Sequence, residues 1–212
     1  MKTTELKMAA AAAAIASATD NLGRAAEDNP VEELVSRIKS ADDKVRGTAW
    51  QGAGSAGAPA VKPLAAVMTD PNSEVARSAK RALWKVVRHA GRPGAETERK
   101  AVQAELLGLL KNPAVTVRRE ALWMLSEVGD PQAVDPMATL LSDAEAREDA
   151  RCALLRLPGQ RVPDALRGAF RTAPEDFKFA LGESLRQRGE TVEGYPSKKR
   201  IPLKQTGLKP LN

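Results

Sequence analysis

Cysteine, histidine and aromatic residues are scarce in this chain of 212 residues. Cys152 is the sole cysteine, so an intramolecular disulfide is excluded. With His89 as the sole histidine, a Cys/His zinc site within one chain is excluded too, because such tetrahedral sites need three or four protein ligands. Catalysis by a Ser-His-Asp or Cys-His set would depend on His89, which lies near a predicted helix end. We therefore predict no metal, no cofactor and no enzymatic activity.

Aromatic residues make up 3% of the chain, and no long stretch alternates apolar and polar residues. Strands are therefore poorly supported, because half-buried strands show that alternation. Ala, Leu and Val must supply most of the core, and such small side chains favour closely packed helices. The net charge of +6 permits an acidic partner without requiring one.

The chain has no apolar run long enough to span a bilayer, which takes about 20 residues. Residues 1–28 form an Ala-rich N-terminal extension, with Lys2 and Lys7 before the alanine run and the small-residue site Ala16–Ala18 near its end. That layout resembles a weak secretory signal, although Glu5 interrupts its basic part. We expect a cytoplasmic protein, and export by this weak signal is the alternative.

Residues 190–212 form a basic tail that contains three prolines. Its basic residues include the run Lys198, Lys199 and Arg200, and it has no helical stripe of apolar residues. We expect this tail to be extended or disordered and solvated. Contact with an acidic surface, RNA or membrane phosphate is the alternative.

Between these segments the chain repeats itself. Five stretches align on an apolar anchor, a basic residue close behind it, a position four residues on that is Ala in four of them, and an apolar residue eight positions on. The anchors are separated by 30, 42, 29 and 31 residues. The stretches are VRGTAWQGA (Val45–Ala53), VARSAKRAL (Val75–Leu83), VRREALWML (Val117–Leu125), AREDARCAL (Ala146–Leu154) and FKFALGESL (Phe177–Leu185).

A second amphipathic stretch precedes each of the five, with apolar residues at the three- and four-residue steps of a helix. Short turns rich in Asp, Asn and Pro join the two stretches, and these residues both end one helix and cap the next. Each unit is therefore predicted to be a helix–turn–helix. The preceding stretches are 31–40, 60–69, 101–111, 133–142 and 162–172.

DPNSEVARSAKRAL, NPAVTVRREALWMLSEVGDP and SDAEAREDARCAL resemble HEAT repeats, particularly the short type found in phycobilisome-lyase-like and many bacterial proteins. The resemblance covers residues 29–189 and departs from the pattern in the Gly-rich first unit and at Phe177, where Phe-Lys replaces Val-Arg. It implies an all-α fold, an α-solenoid of about five helix–turn–helix HEAT-like repeats whose second helices line a concave face. We expect the protein to be monomeric.

The stretch QGAGSAGAPAV spells the G-x-G-x-x-G of a dinucleotide-binding loop with Gly52, Gly54 and Gly57. That loop follows a strand and opens a helix, whereas this stretch follows a predicted helix. Gly57 lies twelve residues after its anchor, as Gly129 and Gly189 do after theirs. We therefore interpret Gly57 as a joint between units and predict no nucleotide site.

On each second helix the anchor and the residues four, seven and eight positions on should face the core, and positions two, six and nine should lie opposite. In the second and third repeats the opposite face combines arginines with tryptophans, which predicts a recognition patch for a protein partner, in particular an acidic segment. The alternative is that the tryptophans cover neighbouring repeats and the arginines are solvated or paired with Glu120 and Glu127. The candidate partner-binding residues are Arg77, Arg81, Trp84, Arg88, Arg119 and Trp123.

Basic residues directly after the anchors have a different predicted role, because they lie beside the packed face. By resemblance to HEAT-like arrays, we expect them to be structural and to pair with the Asp or Asn of a turn. The arginines are Arg46, Arg118 and Arg147, and the expected partners or helix caps are Asp43, Asp70 and Asp143.

We predict a non-catalytic, protein-binding scaffold, because a helical-repeat surface is long and rigid. One alternative is nucleic-acid binding through the basic Arg/Trp face, as in HEAT-like DNA glycosylases, and such binding weakens steeply with salt. By resemblance to lyase-like HEAT proteins, the other alternative is a tetrapyrrole lyase or chaperone subunit.

Overall fold

The computed structural model describes residues 29–196, so the predicted extension 1–28 and residues 197–212 of the predicted tail lie outside the described part. Within residues 29–196 the protein has ten α-helices and no strand, as the composition predicts. The helices are α1 Pro30–Ile38, α2 Asp43–Gly52, α3 Val61–Val67, α4 Ser73–Ala90, α5 Glu96–Leu109, α6 Val115–Val128, α7 Val134–Ala138, α8 Arg147–Arg156, α9 Arg161–Thr172 and α10 Glu175–Gln187.

The helices form five consecutive pairs that belong to two compact units. The unit Met1–Val128 contains α1 to α6, and the unit Gly129–Asn212 contains α7 to α10. The two helices of each pair pack against each other. In the first unit the second helices α2, α4 and α6 also contact one another in sequence, as do the first helices α1, α3 and α5. Within this unit each pair therefore stacks on the next, which is the arrangement expected of helical repeats.

Turn residues cap the second helices α2 and α4, and similar side-chain bonds stabilise the turns before α6 and α8. The side chain of Asp42 accepts a hydrogen bond from the backbone N–H two residues on at 2.8 Å, and Asn72 does the same at 3.0 Å. Asn112 and Asp143 accept such bonds at 2.9 Å just before α6 and α8. Because a cap of this kind is typically worth about 1 kcal/mol, the polar turns both separate the helices and stabilise them.

The second helices bury the face that the repeat pattern predicts. Four of the five anchors are at most 4% exposed, and the leucines eight positions after them are at most 2% exposed. The first repeat differs in part: Val45 is half-buried and Gly52, seven positions on, is exposed, whereas Ala53, eight positions on, is 2% exposed. No described helix precedes this repeat to cover it. The buried residues are Val75, Val117, Ala146 and Phe177 at the anchors, and Leu83, Leu125, Leu154 and Leu185 eight positions on.

Gly57 is a joint between helices, as predicted. It has a φ of +63° and connects two short 3-10 segments, Ala53–Ala56 and Ala58–Ala60. Gly54 allows a close approach to α4, because a Cβ at this position would lie 3.3 Å from the Cβ of His89. The residues described before Gly57 are helical and turn residues, so the strand that a dinucleotide-binding loop requires is missing there.

The expectation of a solvated tail is wrong for its first residues, which pack on the last helix pair. The ring of Tyr195 meets Phe170 and Phe179 edge-to-face, at centroid distances of 5.3 Å and 5.2 Å. Its hydroxyl donates a hydrogen bond to Oε2 of Glu175 at 2.8 Å. Tyr195 has a φ of +44°, which an L-residue adopts at a cost, and these contacts offset that cost.

Arg186 of α10 fixes the same segment through the backbone. Its guanidinium donates to the carbonyl of Val192 at 3.2 Å and to that of Gly194 at 2.7 Å. Arg186 and Phe179 occupy the positions of α10 that point away from the core in the repeat pattern. In the second unit, part of this outer face is therefore covered by the chain itself.

We expect Tyr195→Ala to lower the free energy of unfolding by about 1–3 kcal/mol, because it removes two edge-to-face ring contacts. Tyr195→Phe keeps both rings and should cost less than the alanine variant. Urea unfolding followed by circular dichroism measures both. Equal stability of wild type and Tyr195→Ala would show that the segment does not contribute to the fold.

The pH dependence of stability distinguishes the contribution of the Tyr195 hydroxyl from that of the Tyr195 ring. Hydrogen bonds from Lys178 and Tyr195 lower the pKa of Glu175 below its usual 4.5. A lowered carboxyl pKa stabilises the fold above pH 4.5, and the stabilisation is lost as pH falls through the folded-state pKa. The stability difference between wild type and Tyr195→Phe should therefore shrink on acidification, and that between wild type and Tyr195→Ala should largely persist.

Candidate partner-binding cleft

A cleft opens on α2 and α4, away from the core side of both helices. Its volume is about 290 Å³. Two tryptophans and five cationic side chains line it, one from α2 and six from α4. These residues are Trp50, Arg77, Lys80, Arg81, Trp84, Lys85 and Arg88.

The amphipathic pattern of α4 places the cations on this side. Its buried stripe includes Val75, Ala79, Leu83 and Val86, each at most 4% exposed. Four or three residues separate successive members, so they share one side of the helix and leave the charged residues on the other. Arg88 also lies in the last turn, where the helix dipole favours a positive charge.

Trp84 is held in place by a carboxylate from the next repeat. Its Nε1–H donates to Oε2 of Glu120 on α6 at 3.0 Å, and the other oxygen of Glu120 pairs with Lys80. The guanidinium of Arg88 lies 4.9 Å from the centroid of the Trp84 ring, within cation–π distance. Glu127, also on α6, contacts Nε of Arg88 at 3.5 Å. Two carboxylates of α6 thus orient the wall that Trp84 forms.

Trp50 supplies the α2 side of the cleft. It is half-buried, and the guanidinium of Arg81 lies 5.3 Å from its ring centroid. Each tryptophan of the cleft therefore has one arginine over its ring. Such pairs combine a flat apolar surface with a cation that presents several hydrogen-bond donors.

Three of the five cations are neutralised by carboxylates. Arg77 pairs with Glu74 at 2.7 Å, Lys80 pairs with Glu120, and Arg88 contacts Glu127. Arg81 and Lys85 have no carboxylate within ion-pair distance among residues 29–196. The cleft consequently retains two uncompensated positive charges beside the tryptophans.

A family model of HEAT repeats matches the chain twice, over residues 82–157 and over residues 104–186. The chain is a HEAT-repeat protein. The matched region begins within α4 and ends within α10, and α1 to α3 continue the same pairing before it. The family assignment agrees with the resemblance of the repeated stretches and with the all-α, solenoid-class fold.

Two solved structures similar to this HEAT-repeat protein are engineered proteins from the Northeast Structural Genomics Consortium. The first has 19% sequence identity and a TM-score of 0.39, with 76% of this chain and 86% of that chain covered. The second has 20% identity and a TM-score of 0.37, with 75% and 47% covered. No curated protein matches the chain.

Four of the six candidate residues of the HEAT-repeat protein come together in the cleft: Arg77, Arg81, Trp84 and Arg88. Arg119 and Trp123 lie on α6 and do not line it. Arg119 is exposed, and both Trp84 and Trp123 are half-buried rather than enclosed in the core. The pairing of an arginine with Glu127 was the alternative expectation, and it occurs at Arg88. The partner-binding role of the six stays a prediction.

Three lining residues were missed by the sequence reasoning: Trp50, Lys80 and Lys85. Trp50 and Lys80 both lie five positions after their anchors, at the edge of the helix face that positions two, six and nine define. Comparing that fifth position across the repeats would have found them. Lys85 lies one turn after Arg81, and this spacing could have identified it.

The basic residues after the anchors make structural contacts in this HEAT-repeat protein, and Arg46 has the partner that was predicted, whereas the carboxylate that Arg147 contacts is Asp176 and not that of a turn. Arg46 is 7% exposed, donates to the carbonyl of Ser40 at 2.6 Å and pairs with Asp43. Arg118 donates to two carbonyls of its preceding turn, each at 2.9 Å. Arg147 pairs with Asp176 of the next repeat at 2.5 Å. Each arginine therefore ties a helix to a turn or to a neighbouring repeat.

The structure also bears on three other features: a metal site, the thiol of Cys152 and membrane-spanning helices. No group of three His, Cys, Asp or Glu side chains within residues 29–196 is placed to hold a metal ion. Cys152 is half-buried and accepts a hydrogen bond from the guanidinium of Arg151 at 3.3 Å. Across the same residues, every helix is too short or too polar to cross a membrane.

Proposed function

We propose that this HEAT-repeat protein is a non-catalytic scaffold that binds an acidic segment of a protein partner through the cleft on α2 and α4. The proposal rests on one observation: Arg81 and Lys85 lack a carboxylate partner in the described residues and lie beside two half-buried tryptophans. A carboxylate of the partner would supply the missing negative charge, and the tryptophans would supply apolar contact area.

The chemistry of the lining favours binding over catalysis. All ionisable side chains of the cleft are Arg and Lys, which in their charged forms donate hydrogen bonds and accept no proton. A general base or nucleophile would have to come from elsewhere. Trp and Arg are also the residues most often found as energetic anchors of protein interfaces, where truncation costs about 2 kcal/mol or more.

Affinity capture from native extract tests the scaffold function. We expect the full chain to retain a protein partner and the variant Arg81→Glu with Trp84→Ala to lose it. Arg171→Glu is the matched control, because Arg171 is exposed and makes no side-chain polar contact in the described residues. Normal capture by the double variant, with its helical content unchanged, would refute the proposal.

Duplex DNA is the counter-probe in the same experiment. A phosphate-driven complex forms at low salt and weakens steeply as salt rises, in proportion to the number of phosphates contacted. We expect no such complex with the cleft. DNA binding that Arg81→Glu abolishes would replace the scaffold function by nucleic-acid binding.

A further inference from the structure

The two tryptophans make the cleft more than a positively charged surface. Trp50 on α2 and Trp84 on α4 both line it, and each is half-buried. The hydrogen bond from Trp84 to Glu120 fixes one ring before any partner arrives. A fixed aromatic wall is preorganised for another ring, and aromatic pairs contribute beyond the area they bury.

The two uncompensated cations lie on one side of α4. Arg81 and Lys85 are four residues apart, which places them one helical turn from each other on the same face. Arg81 also lies over the Trp50 ring at 5.3 Å, so the charge and the apolar wall are adjacent. An occupant that binds both the cations and the tryptophan wall must carry a carboxylate close to a flat apolar group.

Three carboxylates near the cleft argue against a densely charged polyanion. Glu74, Glu120 and Glu127 each pair with a lining cation, and their side chains remain 51%, 19% and 31% exposed. A nucleic-acid backbone gains affinity by neutralising several phosphates at once, and here two cations are available for it. A peptide segment with a few carboxylates can be matched by these two cations, so it fits the charge of the cleft better than a polyanion does.

We infer that the cleft takes a short acidic peptide segment in which an aromatic residue is flanked by glutamate or aspartate. The aromatic ring enters the space lined by Trp50 and Trp84, and the flanking carboxylates bind Arg81 and Lys85. This inference rests on the scaffold function proposed above and specifies the segment that the scaffold takes.

Three blocked peptides test the inference with the full chain. The first has a central phenylalanine with two glutamates on each side, the second replaces the phenylalanine by alanine, and the third replaces the glutamates by glutamine. None contains tryptophan, so titration can follow the protein's own fluorescence. We expect the first peptide to bind and the other two to bind at least about tenfold more weakly.

Two substitutions assign the binding to the cleft. Lys85→Gln should weaken the first peptide about fivefold, because it removes one cation, and such a difference is about 1 kcal/mol. Lys100→Gln is the matched control: this lysine is exposed, lies on α5 of the same unit and makes no side-chain polar contact in the described residues. Trp50→Phe keeps an aromatic wall and should retain the preference for phenylalanine over alanine, whereas Trp50→Leu should remove it.

Each contrary outcome overturns a defined statement. Equal binding of the phenylalanine and alanine peptides would overturn the aromatic subsite and leave an acidic-segment scaffold. Equal binding of the glutamate and glutamine peptides would overturn the role of Arg81 and Lys85. If no peptide binds but a protein is still captured through Arg81 and Trp84, the inference fails and the scaffold function stands. If neither occurs, both fail.

Discussion

Replacing Arg81 and Lys85 together by glutamate should raise the Kd for an acidic partner at least about 100-fold. The change turns two attractive contacts into repulsive ones, and like-charge contacts at an interface cost several kcal/mol, whereas a 100-fold loss needs about 2.7 kcal/mol. Neither cation has a carboxylate partner in the described residues, so no ion pair of that part is broken. Isothermal titration with the phenylalanine–glutamate peptide measures the loss.

The control for this prediction carries the same change of net charge. Arg171→Glu with Lys100→Glu reverses one arginine and one lysine that are exposed and outside the cleft. We expect its Kd to stay within about threefold of wild type, because screened charges outside an interface act weakly. Loss of binding in both double variants alike would show that net charge, and not the cleft, attracts the peptide.

Leu83→Ala should lower the free energy of unfolding by about 2–5 kcal/mol, the largest effect on stability expected from a single change on α4. Leu83 is 1% exposed and lies eight positions after its anchor, on the packed face. Two residues earlier, Arg81 lies on the opposite face, and Arg81→Ala should change stability by no more than about 1 kcal/mol, the loss of its contact with the Trp50 ring. Urea unfolding of the two variants measures the contrast between the two faces of one helix.

A small effect of Leu83→Ala would contradict the assignment of the packed face. A loss below about 1 kcal/mol is inconsistent with a fully buried leucine, whose truncation leaves a cavity. A cost for Arg81→Ala that matches the cost for Leu83→Ala would place Arg81 in the structural framework. In that case its availability to a partner would be lost.

The fold was predictable because its determinants are local. The apolar spacing around Val75 and Val117 specifies a helix face, and polar turn residues such as Asn72 specify where the next helix begins. The structure confirms both, together with the joint at Gly57. The rule fails at Gly52, which the pattern places on the packed face and which is exposed.

The candidate site was predictable in part. Helical position identifies the side of α4 that carries Arg77, Arg81, Trp84 and Arg88, and these residues do share a cleft. Trp50 was missed because its place beside Arg81 depends on how α2 packs on α4. The angular position of a residue around its own helix does not determine that packing.

Long-range pairing decides which arginines and lysines remain available. The contact of Trp84 with Glu120 joins residues 36 positions apart, and that of Lys80 with the same carboxylate joins residues 40 apart. Likewise, Tyr195 reaches back 20 residues to Glu175. Sequence periodicity does not determine such contacts, because they arise when whole repeats pack together.

The most direct test of the cleft is the indole N–H spectrum of the protein during titration with the phenylalanine–glutamate peptide. The chain has three tryptophans, so three indole resonances are expected, and Trp→Phe variants assign them. We predict that the resonances of Trp50 and Trp84 shift in parallel with binding and that the resonance of Trp123, which does not line the cleft, stays in place. A shift of Trp123 alone, or no shift of Trp50 and Trp84 on binding, would contradict the proposed site.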